Sequence, residues 1–144
     1  MLSQFSYPII SSEKFSETVA FYEDHFGFTP KLEMDGFVVL EREDMADVYL
    51  GIINCKHKAL PEAHRKPVTG LMLSYPVDNV IKFYDYAYHE GLTLLSEPND
   101  ALCGRKHFYV EDPNGVLVDV AENIDLNKIV SIEDCAALFV VNQA

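Results

Sequence analysis

The chain has 144 residues, of which 49% are hydrophobic, and its 23 acidic residues against 11 Lys and Arg give a net charge of −12. A chain of this length and apolar content buries enough surface to fold without disulfides or structural metals. The negative charge disfavours nucleic acids and anionic membrane surfaces as partners, because phosphate groups are bound by clustered Lys and Arg side chains.

The first half is predicted to form a strand, a helix and three further strands. The helix spans about residues 13–26, with Ser11 or Ser12 as its N-cap and Gly27 as its C-terminal stop. One helical stripe of this segment is apolar and predicts its buried face: Phe15, Val19, Tyr22 and Phe26. The predicted strands are residues 4–10, 29–34, 37–41 and 48–54, with Asp35-Gly36 as a hairpin turn.

Residues 55–67 differ from the rest of the chain. They contain two prolines and the one basic stretch of an acidic protein. Zinc binding by Cys55, His57 and His64 is a weaker interpretation than a solvated loop, because basic, proline-bearing segments are typical of linkers. We therefore predict a linker here.

The second half repeats the order of the first. A strand over residues 68–77 precedes a helix that Asp78 or Asn79 caps, and Gly91 ends that helix near Glu90. Strands are predicted over residues 92–95, 106–111 and 116–121. The last two are joined by a turn, Asp112-Pro113-Asn114-Gly115, because Pro presets φ and Asn and Gly tolerate positive φ.

Order and spacing indicate a duplication within a single domain of residues 1–144. The repeats are predicted as residues 4–54 and 68–123, and an apolar C-terminal extension, residues 124–144, lies outside both. The cysteines Cys55, Cys103 and Cys135 are odd in number and form no Cys-x-x-Cys motif, which is typical of free thiols in a reducing compartment. With no recognisable signal peptide and no membrane span, we expect a cytoplasmic protein.

Strand periodicity selects the candidate site residues of the second repeat. Val116, Val118 and Val120 share one face of the last strand, which places Asp119 on the other. On the neighbouring strand Arg105, His107 and Tyr109 share the face of Asp119 by the same rule. Asp119 is then either an anion for a ligand or the partner of Arg105, and His107 either a general base or a histidine bonded to a neighbour.

The repeated order, the pattern of a Phe-Tyr pair followed by Gly-Phe across Tyr22 to Phe28, and the Asp-Pro-Asn-Gly turn before an alternating strand resemble the vicinal-oxygen-chelate superfamily. This superfamily includes glyoxalase, the bleomycin-resistance proteins and the extradiol dioxygenases. The resemblance covers about residues 4–123. It implies an α+β fold of two βαβββ repeats, whose curved mixed sheets enclose a cavity with the helices on the convex faces, and often a homodimer.

Catalytic members of the superfamily hold a divalent metal with four side chains on the first and last strands of each repeat. The resemblance places those positions at Tyr7, near Tyr49 with a slip of one or two residues, at Met72 and at Asp119. One plausible donor among four does not hold a catalytic divalent ion, which needs three or more. We therefore expect neither metal nor cofactor.

These inferences predict a metal-free binding protein of the glyoxalase/bleomycin-resistance type. It would sequester a small cationic or aromatic molecule, and its predicted ligand-binding residues are Tyr7, Tyr49, Met72, Arg105, His107, Tyr109 and Asp119. One alternative is a metal-dependent lyase, isomerase or dioxygenase that uses displaced ligands such as His107, Asp119 and Glu122. The other is a non-catalytic structural or regulatory module with a filled interior.

Overall fold

The computed structural model describes residues 5–102 and 105–122. The predictions for residue 4, Cys103, Cys135 and the extension 124–144 lie outside these described residues. The chain divides into two compact units. Unit 1 is Met1–Leu71 together with Asp112–Val116, and unit 2 is Met72–Glu111 together with Leu117–Ala144.

Unit 1 contains one helix on a four-stranded mixed sheet. Its elements are β1 (Ile9–Ser12), α1 (Phe15–His25), β2 (Phe28–Met34), β3 (Phe37–Arg42) and β4 (Tyr49–Asn54), followed by a 3-10 turn at Glu62–His64. The strand order is β1-β4-β3-β2, in which β1 runs parallel to β4 and the other pairs are antiparallel. The predicted Asp35-Gly36 turn joins β2 to β3, and Gly36 there has a φ of 73°.

The start of α1 differs from the prediction in its cap. Lys14 occupies the N-cap position and makes no side-chain capping bond. Ser12 instead accepts a hydrogen bond on Oγ from the Lys14 backbone N–H, at 2.9 Å. Within the predicted stripe Tyr22 and Phe26 are fully buried, as is Thr18 on the same side of the helix. The stripe was therefore correct in direction, with Thr18 taking a core position.

Unit 2 repeats this arrangement. Its elements are β5 (Met72–Val77), α2 (Val80–His89), β6 (Thr93–Leu94), β7 (Asn99–Leu102), β8 (Arg105–Glu111) and β9 (Leu117–Glu122). The order is β5-β9-β8-β6, with β7 also paired to β8, and β5 runs parallel to β9. As predicted, Asn79 caps α2 by accepting a bond from the Lys82 backbone N–H.

The largest differences from the prediction in unit 2 are the start of its first strand and one additional strand. The first strand begins at Met72 rather than at residue 68, and β7 was not predicted. The turn-forming and acidic residues around Asn99 did not predict a strand at β7, because these residue types are depleted in strands. The pairing of β7 with β8 supplies the tertiary contact that overrides this preference.

The predicted α+β class is confirmed: two helices pack on two mixed sheets of the same strand order, and neither sheet closes into a barrel. Among the described residues, no helix is long and apolar enough to cross a membrane.

Each sheet has one face under its helix and one face turned away from it. In unit 1 the Phe28 ring contacts Tyr22 of α1, and in unit 2 the Phe108 ring contacts Tyr84 of α2. Because side chains alternate along a strand, the neighbours of these residues point to the opposite side, which we call the helix-free face. The helix-covered faces carry the core of each unit, including Leu40 and Ile52 in unit 1 and Val118 and Val120 in unit 2.

Candidate ligand-binding site

The helix-free face of unit 2 contains a buried polar cluster centred on Asp119. The Arg105 Nη2 atom donates to Asp119 Oδ2 at 2.9 Å, and His107 Nδ1 lies 2.8 Å from Asp119 Oδ1. Asp119 is 3% exposed and His107 is 2% exposed. We refer to Arg105, His107 and Asp119 as the 105–107–119 cluster. The sequence predicted that these three side chains share a face, and strand pairing brings them into contact.

The strand register explains why they meet. Tyr109 lies directly opposite Asp119 on the neighbouring strand, and His107 lies opposite Ala121. Directly paired and diagonal positions on one face are within reach of long side chains. His107 is diagonal to Asp119, and the longer Arg105 side chain reaches the other carboxylate oxygen from further along the same strand.

Pairing with Arg105 compensates the charge of Asp119. A buried carboxylate is costly unless a cation or hydrogen-bond donors satisfy it, and here both oxygens have a partner. The side chain of Arg105 is 17% exposed and that of Asp119 is 4% exposed, so the guanidinium forms the part of the ion pair nearer to solvent. Asp119 is thus the anchor of an internal cluster.

Two polar atoms of the cluster have no hydrogen-bond partner within the described part of the chain. They are Nε2 of His107 and Nε of Arg105, and both are buried. Buried polar atoms in folded proteins are nearly always bonded, so each exception calls for an explanation such as a bound molecule. These two atoms mark the place in unit 2 where a ligand would gain most from a polar contact.

Aromatic and apolar side chains flank the cluster. The ring of Tyr109 stands edge-on to His107, with ring centroids 5.2 Å apart. Ser74 is paired with Asp119 across the sheet, and Met72, two residues earlier on the same face, is 53% exposed. Tyr109 and Met72, both predicted site residues, therefore border the cluster on the helix-free face.

The helix-free face of unit 1 carries aromatic side chains instead. The Tyr7 and Tyr49 rings have centroids 6.4 Å apart, and the Phe5 and Tyr49 centroids are 4.6 Å apart. The Lys31 Nζ atom lies 5.7 Å from the centre of the Tyr49 ring. This distance is within the range of cation–π attraction, so the Tyr49 face is suited to a cation.

A glycine lies in the middle of this apolar face. The row that crosses all four strands of unit 1 is Ile9, Gly51, Val39 and Leu32. A Cβ atom on Gly51 would lie 2.8 Å from Ile9 Cγ1 and 3.3 Å from Tyr7 Cε2. Gly51 therefore allows the Ile9 and Tyr7 side chains to lie over the backbone of β4.

Gly51 and Asp119 occupy equivalent positions in the two units. The β1–β4 ladder ends at Ser12 paired with Asn54, and the β5–β9 ladder ends at Val77 paired with Glu122. In each unit the first strand ends three residues before the helix begins, at Ser12 before α1 and at Val77 before α2. Counting back three residues from Asn54 and from Glu122 gives Gly51 and Asp119. The predicted position near Tyr49 is two residues away, within its stated slip.

The donor set at the superfamily metal positions does not fit a divalent ion. Tyr7, Tyr49 or Gly51, and Met72 offer no carboxylate, imidazole or thiolate, and Asp119 has both oxygens engaged by Arg105 and His107. A guanidinium in contact with the carboxylate also repels a second cation. In residues 5–102 and 105–122, no group of three or more His, Cys, Asp or Glu side chains is arranged to hold a metal.

A groove lies in unit 1 between α1 and the β2–β3 hairpin, and the sequence did not predict it. This groove of about 250 Å³ is lined by Phe15, Ser16, Val19, Ala20, Glu23, Glu33, Met34, Phe37 and Val38. Burial raises the pKa of the Glu23 carboxyl, and the nearby carboxylates of Glu33 and Asp24 raise it further. Glu23 and Asp24 are neighbours on α1 and Glu33 lies on β2, so the groove depends on how the helix packs on the hairpin and no local motif indicates it.

A buried polar network in unit 1 was also missed. The Tyr22 O–H donates to Asp112 Oδ2 at 2.8 Å, and Asn114 Nδ2 donates to Thr18 Oγ1 at 2.9 Å. Burial raises the pKa of the Tyr22 phenol, and the Asp112 carboxylate beside it raises that pKa further. A buried tyrosine requires a partner for its hydroxyl, and this was the one available signal. The Asp-Pro-Asn-Gly turn thus contributes to the core of unit 1.

The fold defines a class: an α+β protein of two mixed sheets with the same strand order, each packed under one helix. Residues 5–120 match the model of the Glyoxalase/Bleomycin resistance protein/Dioxygenase superfamily, and the chain belongs to that superfamily. No curated protein sequence matches the chain.

Solved structures share the fold at low sequence identity. A lactoylglutathione lyase from Agrobacterium tumefaciens is 18% identical, with a TM-score of 0.67 over 85% of this chain and 95% of that one. A bleomycin-binding protein in complex with bleomycin is 22% identical, with a TM-score of 0.60 over 85% and 100%. A bleomycin resistance determinant from transposon Tn5 is 23% identical, with a TM-score of 0.60 over 84% and 98%.

Proposed function

We propose that this protein binds a small aromatic molecule, of neutral or cationic character, without a metal and without changing it chemically. The proposal rests on the hydrogen bonds of Asp119, which is the one carboxylate at the four metal positions that the superfamily resemblance implies. Both of its oxygens are bonded within the protein, to Arg105 and His107. The site is therefore built around an internal ion pair rather than around an open metal position.

The ligand class follows from the side chains on the two helix-free faces. Tyr7 and Tyr49 in unit 1, and Tyr109 and Met72 in unit 2, offer surfaces suited to stacking and dispersion contacts with a planar molecule. The position of Lys31 over Tyr49 indicates that this ring accepts a cation. The net charge of −12 favours the approach of cationic ligands over anionic ones.

We propose that the protein acts as a homodimer in the cytoplasm. Large apolar side chains of unit 1 that reach solvent support a second copy as partner: Ile9 is 48% exposed, Leu32 is 49% exposed and Met34 is 61% exposed. Exposed apolar surface of this kind is typical of protein interfaces. Size-exclusion chromatography with light-scattering detection should give twice the mass of one 16.3 kDa chain.

The competing function is a metal-dependent enzyme of the same superfamily. The fold similarity to a protein named as a lactoylglutathione lyase favours this candidate. It would need His107 and Asp119 to release their present contacts and to turn, together with Glu122, to one ion. Elemental analysis of protein purified without added metal tests this directly, and stoichiometric Ni, Zn, Fe or Mn would replace our proposal by the enzymatic one.

The binding proposal is tested by calorimetric titration with bleomycin, the molecule bound by one structural neighbour. We expect saturable binding that Tyr49→Ala weakens about tenfold, because stacking on an aromatic ring contributes about 1–1.5 kcal/mol. Tyr88→Ala is the matched control, since Tyr88 is 67% exposed on the helix α2 of unit 2. Binding that is absent, or that both variants weaken equally, would contradict the proposal for this ligand and these tyrosines.

A further inference from the structure

We infer that His107 is the polar recognition residue of the site and that its Nε2 atom accepts a hydrogen bond from a hydroxyl group of the ligand. The inference rests on the proposed function and names the chemical class of the ligand as a neutral, hydroxyl-bearing small molecule. It starts from one observation, the buried Nε2 atom of His107 that lacks a partner among the described residues.

The contact between His107 and Asp119 determines which imidazole nitrogen carries the proton. The Asp119 carboxylate is ionised in its pair with Arg105, so its oxygens accept hydrogen bonds and do not donate them. The nitrogen 2.8 Å away, Nδ1, must therefore be the protonated one. In the neutral imidazole this leaves a lone pair on Nε2, which is a hydrogen-bond acceptor.

The charges in the cluster favour the neutral imidazole. Arg105 and Asp119 compensate one another, so a neutral His107 leaves the buried cluster without net charge. The groups that face His107 are Arg105 and Tyr109 on its own strand, Asp119 on β9 and the uncharged Asn99 on β7. None of these adds a second carboxylate that would offset a charged imidazolium, because the one carboxylate present is shared with Arg105.

A hydroxyl group satisfies the atom that the protein leaves without a partner. A buried acceptor without a donor costs free energy, so a ligand hydroxyl that donates to Nε2 supplies a bond that the described residues do not make. A cationic group is a poor match because Arg105 lies beside the site. The edge-on ring of Tyr109, 5.2 Å from His107, provides the apolar surface next to the hydroxyl position.

The buried Arg105 Nε–H supports the same class of ligand. This N–H is a buried donor without a partner among the described residues, and it belongs to the same cluster as the acceptor His107 Nε2. A hydroxyl oxygen both donates and accepts, whereas a hydrocarbon or an ether cannot donate to Nε2. A site built to bond a hydroxyl group discriminates strongly against the analogue that lacks the donor, because its buried polar groups then stay unpaired.

The test uses the wild-type protein and two probes of nearly the same shape, 4-methylphenol and 4-methylanisole. Calorimetry should give a dissociation constant about tenfold lower for 4-methylphenol, since one hydrogen bond to a buried acceptor separates the two probes. Long-range ¹H–¹⁵N spectra should show His107 protonated at Nδ1 and the Nε2 resonance shifted by the phenol alone.

A substitution and a control complete the test. His107→Phe keeps a ring and removes Nε2, so the preference for the phenol over the anisole should disappear. His57, half-buried in the linker, provides the control His57→Phe, which should keep the preference.

The outcomes separate this inference from the proposed function. Equal affinities for the two probes in wild-type protein, or an unmoved Nε2 resonance, would each overturn the role of His107 while leaving metal-free binding intact. Stoichiometric bound metal would overturn the proposed function, and this inference with it. The spectra of the wild-type protein decide the matter even if His107→Phe fails to fold.

Discussion

Gly51 and Asp119 occupy equivalent positions in two units of the same strand order, and they give the two helix-free faces opposite chemistry. In unit 1 the glycine lets Ile9 and Tyr7 lie over the sheet, so the face is apolar and aromatic. In unit 2 the aspartate collects Arg105 and His107 into a buried ion pair with a hydrogen-bonded imidazole. Two units of the same strand order thus present one face suited to stacking and one suited to polar contacts.

The comparison also shows how each unit satisfies its buried polar groups. Unit 1 keeps its network on the helix side, where Tyr22 and Thr18 of α1 bond to Asp112 and Asn114 of the turn. Unit 2 keeps its cluster on the helix-free face. The network of unit 1 is bonded throughout, whereas the cluster of unit 2 retains the buried atoms His107 Nε2 and Arg105 Nε without described partners. The buried polar network of unit 1 and the buried cluster of unit 2 therefore lie on different faces of their sheets.

Replacing Asp119 by alanine should have the largest effect on stability, because it leaves a buried arginine and histidine without their carboxylate. Breaking a buried pair from one side costs about 3–5 kcal/mol. Urea unfolding monitored by circular dichroism measures the loss. Glu41→Ala, which removes an exposed ion pair with Lys31, is the control and should change the free energy of unfolding by about 1 kcal/mol or less. A similar small change for both variants would contradict the central place given to Asp119.

Tyr22→Phe should break the network of unit 1 with a smaller loss, about 1.5–3 kcal/mol for a hydrogen bond to a charged partner. Burial and Asp112 raise the pKa of Tyr22, so the folded state holds the phenol neutral. This contribution is complete below the ordinary tyrosine pKa of about 10 and is lost as the pH rises above it. Wild-type protein should therefore lose stability above that pH, as measured by urea unfolding at a series of pH values.

The slope of the unfolding free energy against pH distinguishes ionisation of the Tyr22 phenol from a simple loss of packing. Tyr22→Phe should remove the part of the alkaline slope that Tyr22 contributes. Tyr88→Phe, at an exposed position, should leave the slope unchanged. An alkaline slope that is identical in wild-type protein and Tyr22→Phe would show that the phenol is not the titrating group.

Gly51→Ala should cost about 1–3 kcal/mol, the usual range for an added methyl group without space. The new Cβ would lie 2.8 Å from Ile9 Cγ1, so Ile9 has to move. In an Ile9→Ala background the same substitution should cost clearly less, because the obstructing atom is gone. A double-mutant cycle by urea unfolding measures this coupling, and additive effects would mean that Ile9 is not the obstacle.

The smallest predicted effect concerns the groove of unit 1. Glu33→Gln removes one of the carboxylates that raise the pKa of Glu23, so that pKa should move down toward its ordinary value. Carbon-detected NMR titration of the Glu23 carboxyl measures this shift. Glu97→Gln is the control because Glu97 is exposed in unit 2 and is not among the causes of the shift. An unchanged Glu23 pKa in Glu33→Gln would leave burial and Asp24 as its causes.

Much of the fold was predictable from the chain because local signals agreed with one another. The apolar stripe around Tyr22 and Phe26 located α1, Asn79 and Gly91 located the ends of α2, and alternation around Asp119 placed that residue opposite the valines of β9. Strand parity also grouped Arg105, His107 and Tyr109 with Asp119. These predictions depend on periods of 2.0 and 3.6 residues, which the backbone imposes on any sequence.

The remainder required tertiary information. Strand parity shows that Arg105 and His107 share a face with Asp119. Only the three-dimensional contacts show that each of them bonds a different carboxylate oxygen and that His107 Nε2 has no partner among the described residues. The β7 strand, the groove between Glu23 and Glu33, and the bond from Tyr22 to Asp112, 90 residues away, arise from contacts between distant segments. By itself the sequence determined which side chains face which way. The tertiary structure decided which of them meet, because hydrogen bonds and ion pairs act over a few ångströms and do not depend on separation along the chain.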